Sequence, residues 1–172
     1  YKKLQRTPVL TGTEGDDRIV FERFGRDSLL VRIYPKGSPV PSFQKKYSAA
    51  DTEQIGLYGL GSNDEDEVRG KARREFPCYL IAGSGQNTYK MDQARKIRIY
   101  ACESDRERLK DVTGVHKIIS DNPAIHTYDY KKVKYRESDF TPWGFYDSDV
   151  GFSLGAFFTY TMYGFKQSPF TF

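Results

Sequence analysis

The stretch Ile55–Val68, IGLYGLGSNDEDEV, decides the fold class of this chain. It begins with alternating apolar residues and then turns, through Gly59 and Gly61, into a run of asparagine and acidic residues. Glycine adopts backbone angles that other residues resist, and Asn and Asp side chains form hydrogen bonds back onto the turn that contains them. The stretch therefore predicts a short strand that leads into a tight turn.

Similar units occur on both sides of this stretch. GTEGDDRIVF lies upstream at Gly12–Phe21, and IAGSGQNTYKM lies downstream at Ile81–Met91. Three turns of one kind, each beside a strand-like run, favour a stacked architecture over three unrelated loops. We predict an all-β fold in which residues 1–111 form a parallel β-roll or β-helix of short strands. Three prolines predict that residues 35–50 leave the stack as a surface excursion.

The composition limits the partners that the chain can have. Lys and Arg number 27 against 23 Asp and Glu, and this small excess gives no indication of a nucleic-acid partner. Basic clusters such as Lys71–Arg74 and Lys131–Lys134 are interspersed with acids and are expected to be solvated surface. Cys78 and Cys102 lie in separate strand-like runs; a disulfide is possible, but buried free thiols are favoured.

No catalytic constellation is visible in the sequence. There is no Ser/His/Asp arrangement, phosphate-binding loop or metal cluster of familiar spacing, which favours a non-enzymatic protein. His116 and His126 have carboxylates nearby, but we expect surface or capping histidines rather than metal ligands. Residues 112–141 are predicted to be a connector. The opening YKKLQRTPVL has no initiating Met or apolar leader, so we expect a fragment or a processed chain.

The segment Val150–Phe165, VGFSLGAFFTYTMYGF, alternates between two kinds of residue. One face is almost wholly apolar, and the other is mostly small or hydroxylated, which is typical of a strand with two different environments. A strand of a soluble sandwich shares this alternation, but the segment carries no charge, which favours a membrane-barrel strand. The residues predicted to face lipid are Phe152, Leu154, Phe158, Tyr160 and Met162.

The turns within Gly12–Met91 resemble the glycine- and aspartate-rich repeats of RTX-type parallel β-rolls. Proteins of that family bind calcium in successive turns, through Asp side chains and backbone carbonyls. Asp17 occupies the acidic position of the first turn. The second turn has Asp64 there, with Ser62 in place of a glycine and an acidic residue at an apolar position. The candidate calcium ligands that the resemblance implies are Asp17, Asp64, Asp66 and Asn87.

Residues 97–172 resemble the junction and first barrel segment of bacterial surface-antigen outer-membrane proteins. The resemblance is carried by SDNPAIHTYDY (Ser120–Tyr130), PWGFYDSDVGFSLGAFFTYTMYGF (Pro142–Phe165) and the final SPFTF. Gly144, Asp149, Gly151 and Gly155 match the pattern that precedes the first transmembrane strand in that group. The order of segments is similar to envelope proteins in which a calcineurin-like metallophosphoesterase domain comes before such a module. This resemblance implies that residues 142–172 lead into an outer-membrane barrel.

Three functions follow as hypotheses. The first is a non-enzymatic envelope module that acts as plug, adaptor or docking surface of an outer-membrane barrel, with membrane lipid, other barrel strands or a partner envelope protein as its contacts. The second is a calcium-stabilised, RTX-like binding module. The third is a non-catalytic fragment of an outer-membrane metallophosphoesterase. No cofactor is expected apart from a weakly bound calcium ion.

Overall fold

A computed structural model of the protein describes residues 6–92, 94–129 and 136–162; it describes only the backbone at 136, 137 and 162. The chain divides into two compact units, Tyr1–Tyr128 and Asp129–Phe172, and each is described by itself. Strands dominate both units, which confirms the all-β prediction.

The described residues of the first unit form ten short strands. They are β1 (Val9–Thr11), β2 (Asp17–Phe24), β3 (Ser28–Pro35), β4 (Phe43–Ser48), β5 (Ile55–Tyr58), β6 (Glu65–Gly70), β7 (Cys78–Ile81), β8 (Thr88–Met91), β9 (Ile97–Ala101) and β10 (His116–Ile119). A 3₁₀ turn at Glu103–Asp105 follows β9, and a four-residue helix, α1 (Pro123–His126), follows β10. No helix in the described part of the chain is long and apolar enough to cross a membrane.

The strands form two sheets, and the chain alternates between them. Sheet one has the order β1-β5-β7-β9-β10 and is parallel throughout; sheet two has the order β4-β3-β2-β6-β8. The passages β1–β2, β5–β6 and β7–β8 each add one strand to each sheet, so the unit is a stack of coils that we call the roll. The predicted stacking of short parallel strands is therefore confirmed.

The core of the roll lies between the two sheets. Strand residues alternate in direction, so every second side chain of a strand points towards the opposite sheet. In β2 the inward positions are filled by Ile19 and Phe21, which are fully buried, and their partners on β6 are Asp66 and Val68. Sheet one contributes Ile55, Leu57, Leu80 and Ile99 to the same cluster.

Residues 35–50 differ from the predicted excursion. Strands β3 and β4 form an antiparallel hairpin that extends sheet two beyond β2, so Phe43–Ser48 belongs to the sheet. The loop between them contains Pro39 and Pro41, which have no amide hydrogen for a ladder. The prediction failed at β4 because FQKKYS shows little apolar alternation. The segment forms a strand through its hydrogen-bonded pairing with β3.

Residues 112–141 also differ from the prediction, because they contain strands and not only a connector. Strand β10 joins sheet one in parallel with β9, and a second-unit strand begins at Arg136. The HKII run of β10 is too short to show the two-residue period of a strand, so the sequence did not predict it. The run forms a strand because it pairs with β9. After the 3₁₀ turn, residues 106–111 continue as a series of turns, and their Leu109 is buried in the core.

The second unit is a hairpin of two long strands, β11 (Arg136–Asp147) and β12 (Gly151–Met162). The strands pair antiparallel over their full length, from Arg136 opposite Met162 to Asp147 opposite Gly151. At the turn, Asp147 Oδ1 accepts hydrogen bonds from the amides of Asp149 (2.8 Å) and Val150 (3.3 Å).

Candidate functional site

The turns that follow β1, β5, β7 and β9 of sheet one are joined by a line of side chains that we call the inner ladder: Asp17, Asp64, Asn87 and Asp105. The amide of Asp17 donates to Asp64 Oδ1 at 3.0 Å, and the amide of Asp64 donates to Asn87 Oδ1 at 3.1 Å. The amide of Asn87 in turn donates to Asp105 Oδ1 at 3.0 Å. Each coil therefore holds the turn of the coil before it.

The geometry of the inner ladder follows from the parallel stacking. Equivalent turn positions lie one strand spacing apart, about 4.8 Å, which a short Asx side chain can bridge. The close approach of one turn to the next also requires glycine at the end of the turn that adjoins the sheet-one strand. A Cβ atom at Gly59 would lie 2.4 Å from Asp64 Oδ2, and one at Gly83 would lie 2.1 Å from the Leu60 carbonyl oxygen.

A second line of hydrogen bonds lies on the solvent side of the same turns. The amide of Asn63 donates to Asp16 Oδ1 at 3.0 Å, and the amide of Gln86 donates to Asn63 Oδ1 at 2.8 Å. We call this the outer ladder. Its bonds run in the opposite direction to those of the inner ladder, so the first turn is tied to the second, and the second to the third, by two side chains.

Asp66 lies deeper than the ladders, on the inward face of β6. Its neighbours across the sheet are Ile19 and Tyr89, and it is 4% exposed. Burial, together with the charges of Asp64 and Asp105, raises the pKa of Asp66 to about 8. Burial likewise raises the pKa of Asp64 to about 7, although its hydrogen bond from Asp17 opposes this. Asp64 Oδ2 and Asp66 Oδ1 have no hydrogen-bond partner among the described residues.

The structure brings three of the four predicted calcium ligands, Asp17, Asp64 and Asn87, into the inner ladder and places Asp66 in the core. The ladder oxygens accept amide hydrogens, so they serve the backbone. Among the described residues, no three His, Cys, Asp or Glu side chains converge where they could hold a metal ion. Calcium binding at these residues stays a prediction.

The sequence analysis missed Asp105, which is fully buried and ends the inner ladder. Asn87 Nδ2 and the Tyr89 hydroxyl both donate to its Oδ2, at 2.9 Å and 3.0 Å. A signal was present, because Asp105 follows a strand-like run as Asp64 does. The last turn, however, is shorter than the others and has no glycine, which hid the correspondence.

The histidines and cysteines are placed apart from the ladders. His126 contacts two carbonyl oxygens, with Nδ1 2.7 Å from Ala82 and Nε2 2.6 Å from Ser120, so it fastens α1 to the roll. His116 is exposed on β10. Cys78 and Cys102 are free thiols, and burial raises the pKa of Cys78 to about 11.

The hairpin of the second unit has two different faces, which the register assigns because directly opposed residues of antiparallel strands share a face. One of them, the apolar face, contains Ser138, Phe140, Pro142, Gly144, Tyr146, Phe152, Leu154, Ala156, Phe158 and Tyr160. This face carries no charged residue between positions 138 and 146 of β11 or between positions 152 and 160 of β12. Its large side chains are exposed, with Leu154 at 74% and Phe158 at 69%.

Four of the five residues predicted to face lipid therefore share one exposed face: Phe152, Leu154, Phe158 and Tyr160. Met162 pairs with Arg136 at the end of the hairpin, and its side chain lies outside the described residues. The sequence analysis missed the contribution of β11, which was assigned in part to the connector.

The other face of the hairpin, the mixed face, contains Asp139, Thr141, Trp143, Phe145, Asp147, Gly151, Ser153, Gly155, Phe157 and Thr159. Its centre is an aromatic group in which Trp143 stacks on Phe145 at 5.7 Å and lies 6.4 Å from Phe157. The indole covers Gly155 so closely that a Cβ atom there would lie 2.4 Å from the ring. Carboxylates flank this group towards both ends of the face.

The chain matches no model of a known protein family, and comparisons with curated proteins and with solved structures found no significant similarity.

Proposed function

We propose that this chain is a non-enzymatic module of the bacterial cell envelope, in which β11 and β12 form part of the wall of an outer-membrane β-barrel. The apolar face of the hairpin carries the proposal. A row of exposed aromatic and aliphatic side chains without a charge is a poor surface in water and a good one in hydrocarbon.

The dimensions of the hairpin support the proposal. Each strand has 12 residues, or about 40 Å, and a tilt of about 45° makes this about 28 Å across a bilayer. The hydrocarbon core of a membrane is about 30 Å thick. Aromatic residues lie near both ends of the apolar face, at Tyr146 and Phe152 beside the turn and at Tyr160 opposite, where barrel strands place their girdles.

The mixed face supports an interior environment on the other side of the hairpin. Ser153, Thr141 and Thr159 are small or hydroxylated, and Asp139 and Asp147 are charged, which suits a crowded and hydrated barrel lumen. A hairpin in lipid needs partners for the backbone groups on its two outer edges. These partners would be further strands, from the same polypeptide or from another envelope protein.

The roll would then act as the plug, adaptor or docking surface of the barrel. Its rigid, ladder-bonded turns suit a scaffold, and the sequence offers no nucleophile and base in a recognisable arrangement. A calcium-stabilised binding module is the second candidate. It is favoured by the unpartnered oxygens of Asp64 and Asp66, and disfavoured by the amide hydrogens that the ladder oxygens already accept.

The test is the partition of the full chain into zwitterionic lipid vesicles, followed by an alkaline wash that removes peripheral proteins. Leu154→Arg places a charge in the middle of the apolar face and should weaken insertion by about 2–4 kcal/mol. Ser153→Arg, one residue away on the mixed face, is the matched control and should cost much less.

Equal losses for both arginine variants would contradict the assignment of the two faces. Wild-type protein that stays monomeric in buffer without detergent, with the outer edges of β11 and β12 paired inside its own compact fold, would refute the membrane hairpin itself.

A further inference from the structure

Three loops lie side by side at one corner of the roll, because β2, β6 and β8 are adjacent, parallel and end there. The amides of Arg73 and Arg74 in the second loop donate to the carbonyls of Gly25 (3.3 Å) and Arg26 (2.7 Å) in the first. Lys96 Nζ in the third loop donates to the Glu75 carbonyl oxygen in the second at 2.7 Å. The loops therefore form one continuous surface.

This surface, which we call the basic corner, carries exposed cations from all three loops: Arg26, Lys71, Arg73, Arg74, Arg95 and Lys96. None of them forms an ion pair with a residue that the structure describes. The acids of the same loops offer little compensation. The side chain of Glu75 is buried with Arg23 at 3.4 Å, and Asp27 accepts a hydrogen bond from Ser48 at 2.8 Å. Only Asp92 is exposed among them.

The outer face of sheet two shows what an ordinary solvated surface of this protein looks like. Three of its cations are paired with acids on neighbouring strands: Arg18 with Glu67, Arg32 with Glu22, and Lys90 with Glu65. Lys46 on β4 instead lies over the Phe24 ring. This face satisfies most of its charges itself, whereas the basic corner leaves its guanidinium and ammonium groups without a counterion among the described residues. The difference indicates an external anion.

We propose that the basic corner docks onto the phosphate groups of an anionic lipid surface. Guanidinium and ammonium groups are the usual partners of phosphate oxygens. The loops repeat at one strand spacing, so their cations extend over about 10 Å as a row, which matches a planar array of headgroups. This inference goes beyond the proposed function and does not require the hairpin to enter the membrane.

The distribution of acids on the roll favours a lipid surface over a nucleic acid. At the opposite corner, where the ladder turns lie, acids and cations are paired with one another: Asp16 with Lys36, Glu103 with Arg106, and Glu107 with Lys110. A long polyanion that followed the roll would meet this neutralised corner, whereas a planar surface would touch the basic corner alone. The chain as a whole has a net charge of only +4, so the attraction is local.

The experiment compares binding of the full chain to phosphatidylcholine vesicles and to vesicles that also contain phosphatidylglycerol. The readout is the partition coefficient for the phosphatidylglycerol-containing vesicles divided by that for phosphatidylcholine vesicles. Any insertion of the hairpin that is equal in both vesicles cancels in this ratio. One Lys or Arg near an anionic leaflet is equivalent to about a fivefold change in partition. The double variant Arg73→Gln/Arg74→Gln should therefore lower the ratio about 30-fold, and salt at about 1 M should bring the wild-type ratio close to one.

The matched control is Arg106→Gln/Lys110→Gln, which removes two positive charges from exposed side chains paired with Glu103 and Glu107 at the other corner. Its ratio should stay near that of the wild type. Equal losses in both double variants, or no anionic preference in the wild type, would overturn the proposal. A duplex oligonucleotide that competes with the vesicles and needs Arg73 and Arg74 would assign the corner to nucleic acid instead. Failure of the membrane hairpin would lower binding to both vesicles and leave the ratio unchanged.

Discussion

Replacing Asp66 with asparagine should stabilise the roll at neutral pH. The change removes a buried acid, and it removes no hydrogen bond that the structure records. The carboxyl of Asp66 has a pKa of about 8 in the folded protein, against 3.8 for an ordinary Asp, because burial disfavours the charged form. At pH 7 the unfolded chain is ionised at this position and the folded chain is protonated. Folding must therefore take up a proton.

The magnitude follows from the two pKa values. Each unit of difference corresponds to about 1.4 kcal/mol, so proton uptake at pH 7 costs about 4 kcal/mol. The stability of the wild type should fall with a slope of about 1.4 kcal/mol per pH unit from about pH 4 to pH 8 because of this group. An asparagine side chain at this position has no such cost, because it does not ionise. The Asp66→Asn variant should match the wild type near pH 4 and exceed its stability by about 4 kcal/mol at pH 7.

The assay is urea unfolding of the full chain at a series of pH values, followed by circular dichroism. The sole tryptophan, Trp143, lies in the hairpin, so its fluorescence monitors the second unit separately. Asp16→Asn is the control, since Lys36 lowers the pKa of the Asp16 carboxyl and its loss should not stabilise the protein at any pH. Parallel pH profiles for the wild type and Asp66→Asn would refute the reasoning, because they would mean that Asp66 ionises in the folded state as easily as in the unfolded chain.

Three further predictions follow from the ladders and the hairpin. Asn87→Ala removes the acceptor for the buried Asp64 amide and should reduce the free energy of unfolding by about 2–3 kcal/mol, whereas Asn63→Ala in the exposed outer ladder should cost about 1 kcal/mol or less; urea unfolding of the two variants compares them. Gly155→Ala should displace Trp143, shift its fluorescence and cost about 1–3 kcal/mol of hairpin stability, while Ser153→Ala on the same face should leave the emission unchanged. Calcium should bind weakly, because the ladder oxygens already accept amide hydrogens; tight binding in calorimetric titration would contradict this.

Local pattern was enough to predict the stacked coils and the two-faced strand. Glycines followed by Asp or Asn mark each turn, and three such turns specify the repeat. The structure shows a different reason for Gly59 and Gly83, which are needed for the close approach of successive coils, while Leu60 and Ser62 adopt the left-handed backbone of the second turn. The alternation along Gly151–Met162 depends only on the period of a strand, so the residues of its apolar face could be named in advance. The equivalent turn positions of Asp17, Asp64 and Asn87 could be identified for the same reason, whereas their assignment as calcium ligands rests on the resemblance to RTX-type repeats.

The tertiary structure decided which distant residues meet, and this depends on register. Asp105 completes the inner ladder because the last coil stacks on the third, and Asp66 is buried because β6 lies between β2 and β8. Phe140 and Tyr146 join the apolar face through the antiparallel pairing of β11 with β12. Lys71–Arg74 has the composition of an ordinary solvated cluster, and only the parallel order of three strands sets it beside Arg26 and Lys96. Turns and alternation are properties of a few consecutive residues, whereas burial and charge density arise from backbone pairing between segments about 20 to 50 residues apart, about the length of one coil.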